Sequence, residues 1–114
     1  MPFINSKISC KLDTAKQETL KAALGEIITT IPGKTENWLM VGFEDEYELF
    51  FAGEKLEKGA FVEVKIFGQT TDDILEKVTA QICNLYEKEL GILPQHVYIN
   101  YEFVTHWGWN GSNF

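Results

Sequence analysis

Arginine is absent from this sequence, so all ten basic residues are lysines, and seventeen acidic residues bring the formal net charge to -7. A nucleic-acid interface needs a concentrated basic surface that neutralises several phosphates. Here the lysines are scattered among more numerous acids, which argues against nucleic acid as a partner. Without a guanidinium fork, an acidic substrate has to be held by lysine, by backbone N–H groups or by neutral donors.

Cysteine is also scarce: only Cys10 and Cys83 are present, and neither belongs to a Cys-x-x-Cys pair or to a cluster with His96 or His106. The sequence therefore contains no redox or metal-binding motif, and we expect each thiol to behave as a small buried apolar group. Two isolated cysteines favour a reducing compartment.

Long apolar runs are missing as well. The segment Met1 to Lys7 lacks the basic region and apolar core of a signal peptide, and no stretch is long enough to cross a bilayer. We therefore expect a cytoplasmic protein without membrane insertion, which could be released only by a route that needs no signal peptide. What is present, 114 residues of which 45% are hydrophobic and 24% charged, fits a single folded domain spanning residues 1–114.

The first half of the chain predicts a strand, a helix and a strand. A strand is expected from Phe3 to Cys10, and Thr14-Ala15-Lys16-Gln17 has the form of a capping box at a helix start. Apolar residues then recur at the spacing of one buried helix face up to about Ile31, where Pro32-Gly33 stops the helix. The next strand is expected at about Trp38 to Phe43.

The second half repeats this plan, which suggests pseudo-repeats over residues 2–57 and 58–114. Alternating apolar residues predict a strand from Ala60 to Phe67, and Thr70 or Thr71 can cap a second helix that ends near Gly91. A last strand is expected from His96 to Val104.

Two tandem βαβ units predict an α/β (α+β) fold with a four-stranded mixed sheet and both helices on one face. The opposite face would then be left open, and we expect it to be apolar and to be covered by symmetric self-association. Leu49-Phe50-Phe51-Ala52 and Trp107-Gly108-Trp109 are candidate edge segments for such an assembly.

The chemistry of Pro2 depends on whether Met1 is present. Inside a chain the proline nitrogen is an amide, whereas at a free N-terminus it is a secondary amine, and aminopeptidases remove an initiator Met that precedes a small residue such as proline. An α-amino group titrates near pH 8, and burial among aromatic side chains beside a lysine would lower its pKa. Such a base can remove a proton from carbon next to a carbonyl. The alternative is an incidental strand start.

Motifs at both ends of the chain point to one family. They are the Met-Pro start, Val97-Tyr98-Ile99-Asn100-Tyr101, Gly108-Trp109-Asn110-Gly111-Ser112 and the final Phe114. Together with Gly33-Lys34 and Phe51-Ala52-Gly53, they resemble the macrophage migration inhibitory factor family of the tautomerase superfamily.

The resemblance implies a homotrimeric keto–enol tautomerase, an isomerase that needs no cofactor and acts on a small enolisable keto acid of the phenylpyruvate type. It implies that Pro2 is the catalytic base and acid. It also implies that Lys34 meets the substrate carboxylate and lowers the pKa of Pro2. Tyr98 and Asn100 would be pocket residues donated by a neighbouring subunit.

Further pocket residues follow from the same resemblance. Phe67, or Ile66 if the alignment shifts by one residue, would contribute its backbone N–H. Trp38 replaces a tyrosine at the pocket wall. Trp107 and Trp109 would lie at the mouth, where their rings either stack on an aromatic substrate or pack in a subunit interface.

The sequence departs from the family pattern in two places. It has no Cys-x-x-Cys, so no thiol–disulfide activity is implied. The segment between Asn100 and Trp109 is also two residues shorter and holds the bulky His106-Trp107, so we expect a narrower or more aromatic pocket mouth that could exclude large ring substrates. The absence of arginine argues against the dehalogenase and decarboxylase branches of the superfamily. The second hypothesis is a cytokine-like protein that binds a cell-surface receptor and keeps a vestigial or secondary tautomerase pocket.

Overall fold

A computed structural model describes residues 1–114, and its two halves contain the same order of main elements. Three short 3-10 turns lie between a helix and the following strand of the main sheet: Ile28–Thr30, Glu36–Trp38 and Pro94–His96. In chain order the strands and helices are β1 (Pro2–Ile8), α1 (Thr14–Ile27), β2 (Met40–Glu44), β3 (Phe50–Phe51), β4 (Glu54–Lys55), β5 (Ala60–Phe67), α2 (Asp72–Leu90), β6 (Val97–Val104), β7 (Gly108–Trp109) and β8 (Ser112–Asn113).

The main sheet has the strand order β2-β1-β5-β6. Each half contributes one parallel pair, β1 with β2 and β5 with β6, and the halves join through the antiparallel pair β1 and β5. Both helices cover one face, so the predicted α+β fold with a four-stranded mixed sheet is confirmed. The remaining short strands form two separate hairpins, β3 with β4 and β7 with β8.

The core lies between the helices and the inward face of the sheet. Alternate residues of β1 and β5 are buried there, among them Ile4, Ile8 and Val64. Ser6 is the one buried polar residue of the core face, and its hydroxyl forms a hydrogen bond with the Tyr86 hydroxyl of α2. Burial raises the pKa of Tyr86 to about 12. Neither helix has the length and apolar character that crossing a membrane would require.

The start of α1 differs from the predicted capping box. Asp13, and not Thr14, is the N-cap residue, because its Oδ1 accepts the Lys16 backbone N–H at 2.7 Å. Gln17 uses its Nε2 to donate to the Leu12 carbonyl oxygen at 3.3 Å. The α-helix ends at Ile27 and continues as a 3-10 turn to Thr30, close to the predicted end at Ile31.

The second helix follows the prediction closely. Thr71 is its N-cap residue, and Gly91 ends it with a left-handed backbone at φ 69°. That conformation suits glycine, which has no Cβ to clash.

The predicted strand start at Trp38 is wrong. Trp38 belongs to the 3-10 turn Glu36–Trp38, in which the Trp38 and Leu39 amides donate to the carbonyl oxygens of Thr35 and Glu36. Strand β2 therefore begins at Met40, and the turn leaves the Trp38 indole 47% exposed.

The open face of the sheet is not the apolar surface that the sequence predicted. Its middle is polar: the Asn5 side chain donates to a Glu44 carboxylate oxygen at 2.9 Å, and Lys7 pairs with Glu63 at 3.2 Å. Charged residues tolerate this position because solvent reaches one face of the sheet. Exposed apolar side chains include Met40 and Tyr98, on the edge strands β2 and β6, and Phe50 on the separate β3–β4 hairpin.

Candidate active site

Pro2 is the first residue of β1 and lies at one end of the sheet, opposite Ile66 of β5. A cavity of about 690 Å³ opens at this end. The ten residues that line it are Met1, Pro2, Phe3, Asn37, Trp38, Leu39, Met40, Lys65, Trp107 and Trp109. The cavity therefore gathers the N-terminus, the turn before β2, strand β5 and the C-terminal hairpin.

Lys34 reaches this end of the sheet from the loop after α1. Gly33, with φ 81°, turns the chain before it, and the Lys34 amide donates to the Ile31 carbonyl oxygen. Its Nζ donates to the carbonyl oxygen of Phe67 at 2.7 Å. The Phe67 amide in turn donates to the carbonyl oxygen of Met1 at 2.9 Å. Lys34, Phe67 and the N-terminal residue thus form one hydrogen-bonded group.

The same group acts on the terminal amine. Burial lowers the pKa of the Met1 amine, and the charge of Lys34 and a hydrogen bond to it lower that pKa further. An amine at this place is thus more readily neutral than a free α-amine, and only the neutral form can accept a proton.

An aromatic cluster closes one side of the cavity. The rings of Trp38 and Trp109 meet edge to face with their centroids 5.1 Å apart, and Trp107 lies 6.5 Å from Phe67. Phe114 stacks on Trp109 at 6.0 Å and also contacts Phe67. These offset and perpendicular arrangements are those that aromatic pairs prefer.

The β7–β8 hairpin positions the two tryptophans. Asn110 and Gly111, at its turn, both have positive φ, as a tight two-residue hairpin requires. The Phe114 amide donates to the Trp107 carbonyl oxygen at 3.0 Å and holds the end of the chain against the cluster.

Tyr98 and Asn100 lie far from Pro2 within one chain. They pair with Phe61 and Glu63, which are five and three residues along β5 from Ile66, the residue opposite Pro2. The Tyr98 ring contacts that of Phe51 with a centroid distance of 5.6 Å. One chain therefore brings together Pro2, Lys34, Phe67 and the tryptophans, but not Tyr98 or Asn100.

Several residues at the site were missed by the sequence analysis. Asn37, Leu39 and Met40 line the cavity because the 3-10 turn places them there, and no local pattern signals that turn. Lys65 lines it from β5. The alternation of Ala60 to Phe67 places Lys65 on the open face, but a charged residue on such a face is ordinarily interpreted as solvated. No group of three His, Cys, Asp or Glu side chains is placed to hold a metal ion.

Comparison with known proteins gives consistent matches over the whole chain. The family model described as macrophage migration inhibitory factor (MIF) matches residues 1–114. The crystal structure of Leishmania major MIF2 is similar, with 34% identity, a TM-score of 0.92, and coverage of 100% of this chain and 97% of that chain. A macrophage migration inhibitory factor homologue from Prochlorococcus marinus has 30% identity, a TM-score of 0.81 and 98% coverage of each chain.

A more distant likeness concerns the fold alone. A macrophage migration inhibitory factor-like protein from Entamoeba histolytica has 21% identity and a TM-score of 0.87, with 99% of this chain and 98% of that chain covered. A search of curated proteins gives no match.

Proposed function

Because this chain belongs to the macrophage migration inhibitory factor family, we propose that it is a keto–enol tautomerase for phenylpyruvate-like keto acids, active once Met1 has been removed. The observation that carries the proposal is the hydrogen-bonded group around the N-terminus. Met1 occupies groups that a substrate would need: its carbonyl oxygen accepts the Phe67 N–H, and its amine lies beside Lys34.

Removal of Met1 turns the Pro2 amide nitrogen into a secondary amine at the edge of the cavity. The effects that lower the pKa of the Met1 amine, burial and the charge of Lys34, would also act on an amine one residue further along. The Pro2 amine would then be neutral more readily than an unperturbed amine, and the neutral form can act as a general base.

Removal of Met1 also frees the Phe67 amide, whose hydrogen bond to the Met1 carbonyl oxygen is lost. Lys34 keeps its hydrogen bond to the Phe67 carbonyl oxygen and has further N–H groups for a carboxylate. We propose that the substrate carboxylate binds Lys34 and that its keto oxygen accepts the Phe67 N–H. A fixed donor at an oxygen that gains negative charge stabilises the enolate.

The proton transfer follows from this placement. In the keto-to-enol direction, the Pro2 nitrogen takes a proton from the carbon next to the carbonyl, and the electron pair of that C–H bond moves to form the enolate. The same proton then passes from Pro2 to the enolate oxygen, which gives the enol and the free amine. The reverse sequence converts enol to keto, and no cofactor takes part.

The assembly proposed here is a homotrimer. Tyr98 lies toward the end of the sheet away from Pro2, where its ring contacts that of Phe51, and Asn100 lies two residues further along β6. A cyclic assembly would pack this aromatic end against the Pro2 end of the next subunit. Tyr98 and Asn100 of one subunit would then complete the site of another.

The test compares the purified protein with Pro2→Gly. Mass spectrometry first establishes that Met1 is absent, and enol–keto conversion of phenylpyruvate is then followed by absorbance. We expect Pro2→Gly to lose at least about a hundredfold in kcat/KM, the scale of a general base. Pro94→Ala, in the 3-10 turn before β6, is the matched control and should keep wild-type activity.

Equal activity of the wild type and Pro2→Gly would contradict the proposal. If both were inactive on several enolisable keto acids, the pocket would be vestigial, and the signalling hypothesis would replace the enzymatic one. Binding of both proteins to cell-surface receptors would then be measured.

A further inference from the structure

Lys65 is the only charged side chain among the residues that line the Pro2 cavity. The chain carries seventeen acidic residues, yet none of them lines this space. Lys65 therefore presents a positive charge to a cavity whose other lining residues are mostly aromatic and aliphatic.

The intramolecular partner of Lys65 leaves its ammonium largely available. The nearest carboxylate oxygen, from Glu102 on β6, lies 3.8 Å away, and both side chains are substantially exposed, at 43% and 62%. Lys7 and Glu63, on the same face, are closer at 3.2 Å and less exposed. Loose, exposed ion pairs contribute little, so an anion in the cavity can compete with Glu102 for Lys65.

Lys65 also stands apart from the anion-binding point of the proposed function. Lys34 contacts the carbonyl oxygen of Phe67, two residues along β5 from Lys65. The backbone positions of residues 65 and 67 are roughly 7 Å apart. A molecule with anionic groups at both ends of an aromatic ring is long enough to contact both lysines.

We infer that Lys65 is a specificity-determining residue that holds a second anionic group, so that the cavity selects keto acids with two anionic groups over those with one. This inference rests on the proposed function, since it assigns the other anionic group to Lys34. The tryptophans would contact the ring between the two anionic groups.

The experiment uses two substrates that differ by one charge, phenylpyruvate and para-carboxyphenylpyruvate, with the Met1-free protein. We expect the wild type to prefer the dicarboxylate, and Lys65→Met to lose about tenfold in kcat/KM for it, as expected for a charged hydrogen bond at a half-exposed site. Activity on phenylpyruvate should change less than twofold. Lys65→Arg should keep the preference, and Lys7→Met, which removes the same charge from the same face, should behave as wild type.

An unchanged ratio of the two kcat/KM values in Lys65→Met would overturn the inference and leave the proposed function intact. Loss of both activities by the same factor in Lys65→Met and Lys65→Arg would also overturn it, because the role would then be structural. Inactivity of the wild type on both substrates would contradict the proposed function, and the inference would be rejected with it.

Discussion

At the scale of single residues, the site depends on which groups the N-terminal residue occupies. The Met1 carbonyl oxygen accepts the Phe67 N–H, and the Met1 amine lies beside Lys34. Cleavage of the Met1–Pro2 peptide bond would thus free the Phe67 N–H and convert the Pro2 nitrogen into a basic amine. Ile66 is the alternative to Phe67 as the backbone N–H donor; it is the Phe67 amide that donates to the Met1 carbonyl oxygen, while the Ile66 side chain is fully buried in the core.

Lys34 should control the pH dependence of the reaction. Its positive charge lowers the pKa of the terminal amine, so Lys34→Met should raise that pKa and move the acid limb of the kcat/KM profile to higher pH. We expect kcat/KM also to fall roughly ten- to a hundredfold, since the substrate carboxylate loses a charged partner.

The measurement is a pH–rate profile on phenylpyruvate together with an NMR titration of the Pro2 amine. Lys21→Met removes an exposed lysine that pairs with Glu18 on α1 and serves as the control. An increase in KM with an unmoved acid limb would show that Lys34 binds substrate without acting on Pro2.

At the scale of elements, the sequence predicted those features that depend on neighbouring residues alone. The alternation in β5 and the Thr71 and Gly91 ends of α2 follow from side-chain periodicity and backbone preference. The cap of α1 was missed because Asp13 and Thr14 are both good N-cap residues, and only the observed backbone shows which one reaches the Lys16 amide. The sequence pattern predicts Trp38 in a strand because the 3-10 turn has no apolar periodicity that would distinguish it.

Strand β1 and helix α2 are joined by a buried polar contact whose stability effect can be tested. Ser6→Ala removes the partner of the buried Tyr86 hydroxyl, so we expect a loss of about 1–3 kcal/mol in the free energy of unfolding. The double variant Ser6→Ala/Tyr86→Phe removes both polar groups and should cost less than the sum of the single variants. Urea denaturation measures all three, with Thr19→Ala, an exposed hydroxyl on α1, as the control. Additive losses would show that the two hydroxyls do not depend on each other.

At the scale of the whole molecule, the predicted fold was confirmed but the predicted character of the open face was wrong. The expectation of an apolar face came from the need to cover the sheet, whereas strand registry aligns Asn5, Lys7, Glu44 and Glu63 across its middle. Charges on different strands are brought together only by that registry, so no single strand reveals the network. The same reasoning applies to Lys65, whose place in the cavity depends on four separate segments.

The trimer makes a prediction that one chain cannot satisfy. Asn100 lies at the register of Glu63, three residues along β5 from the position opposite Pro2, and we propose that the site combines Pro2 of one subunit with Asn100 of the next. Pro2→Gly and Asn100→Ala should each be poorly active alone.

The mixing experiment unfolds the two variants together in equal amounts and refolds them. Random cyclic trimers would restore about a quarter of the sites, because each site needs an intact Pro2 and an intact neighbouring Asn100. Activity should therefore return to about a quarter of the wild-type level in the mixture but not in either variant refolded alone. A site formed within one chain would have no intact copy in the mixture, so the absence of recovery, with trimers present by light scattering, would place both residues in the same subunit's site or remove Asn100 from it.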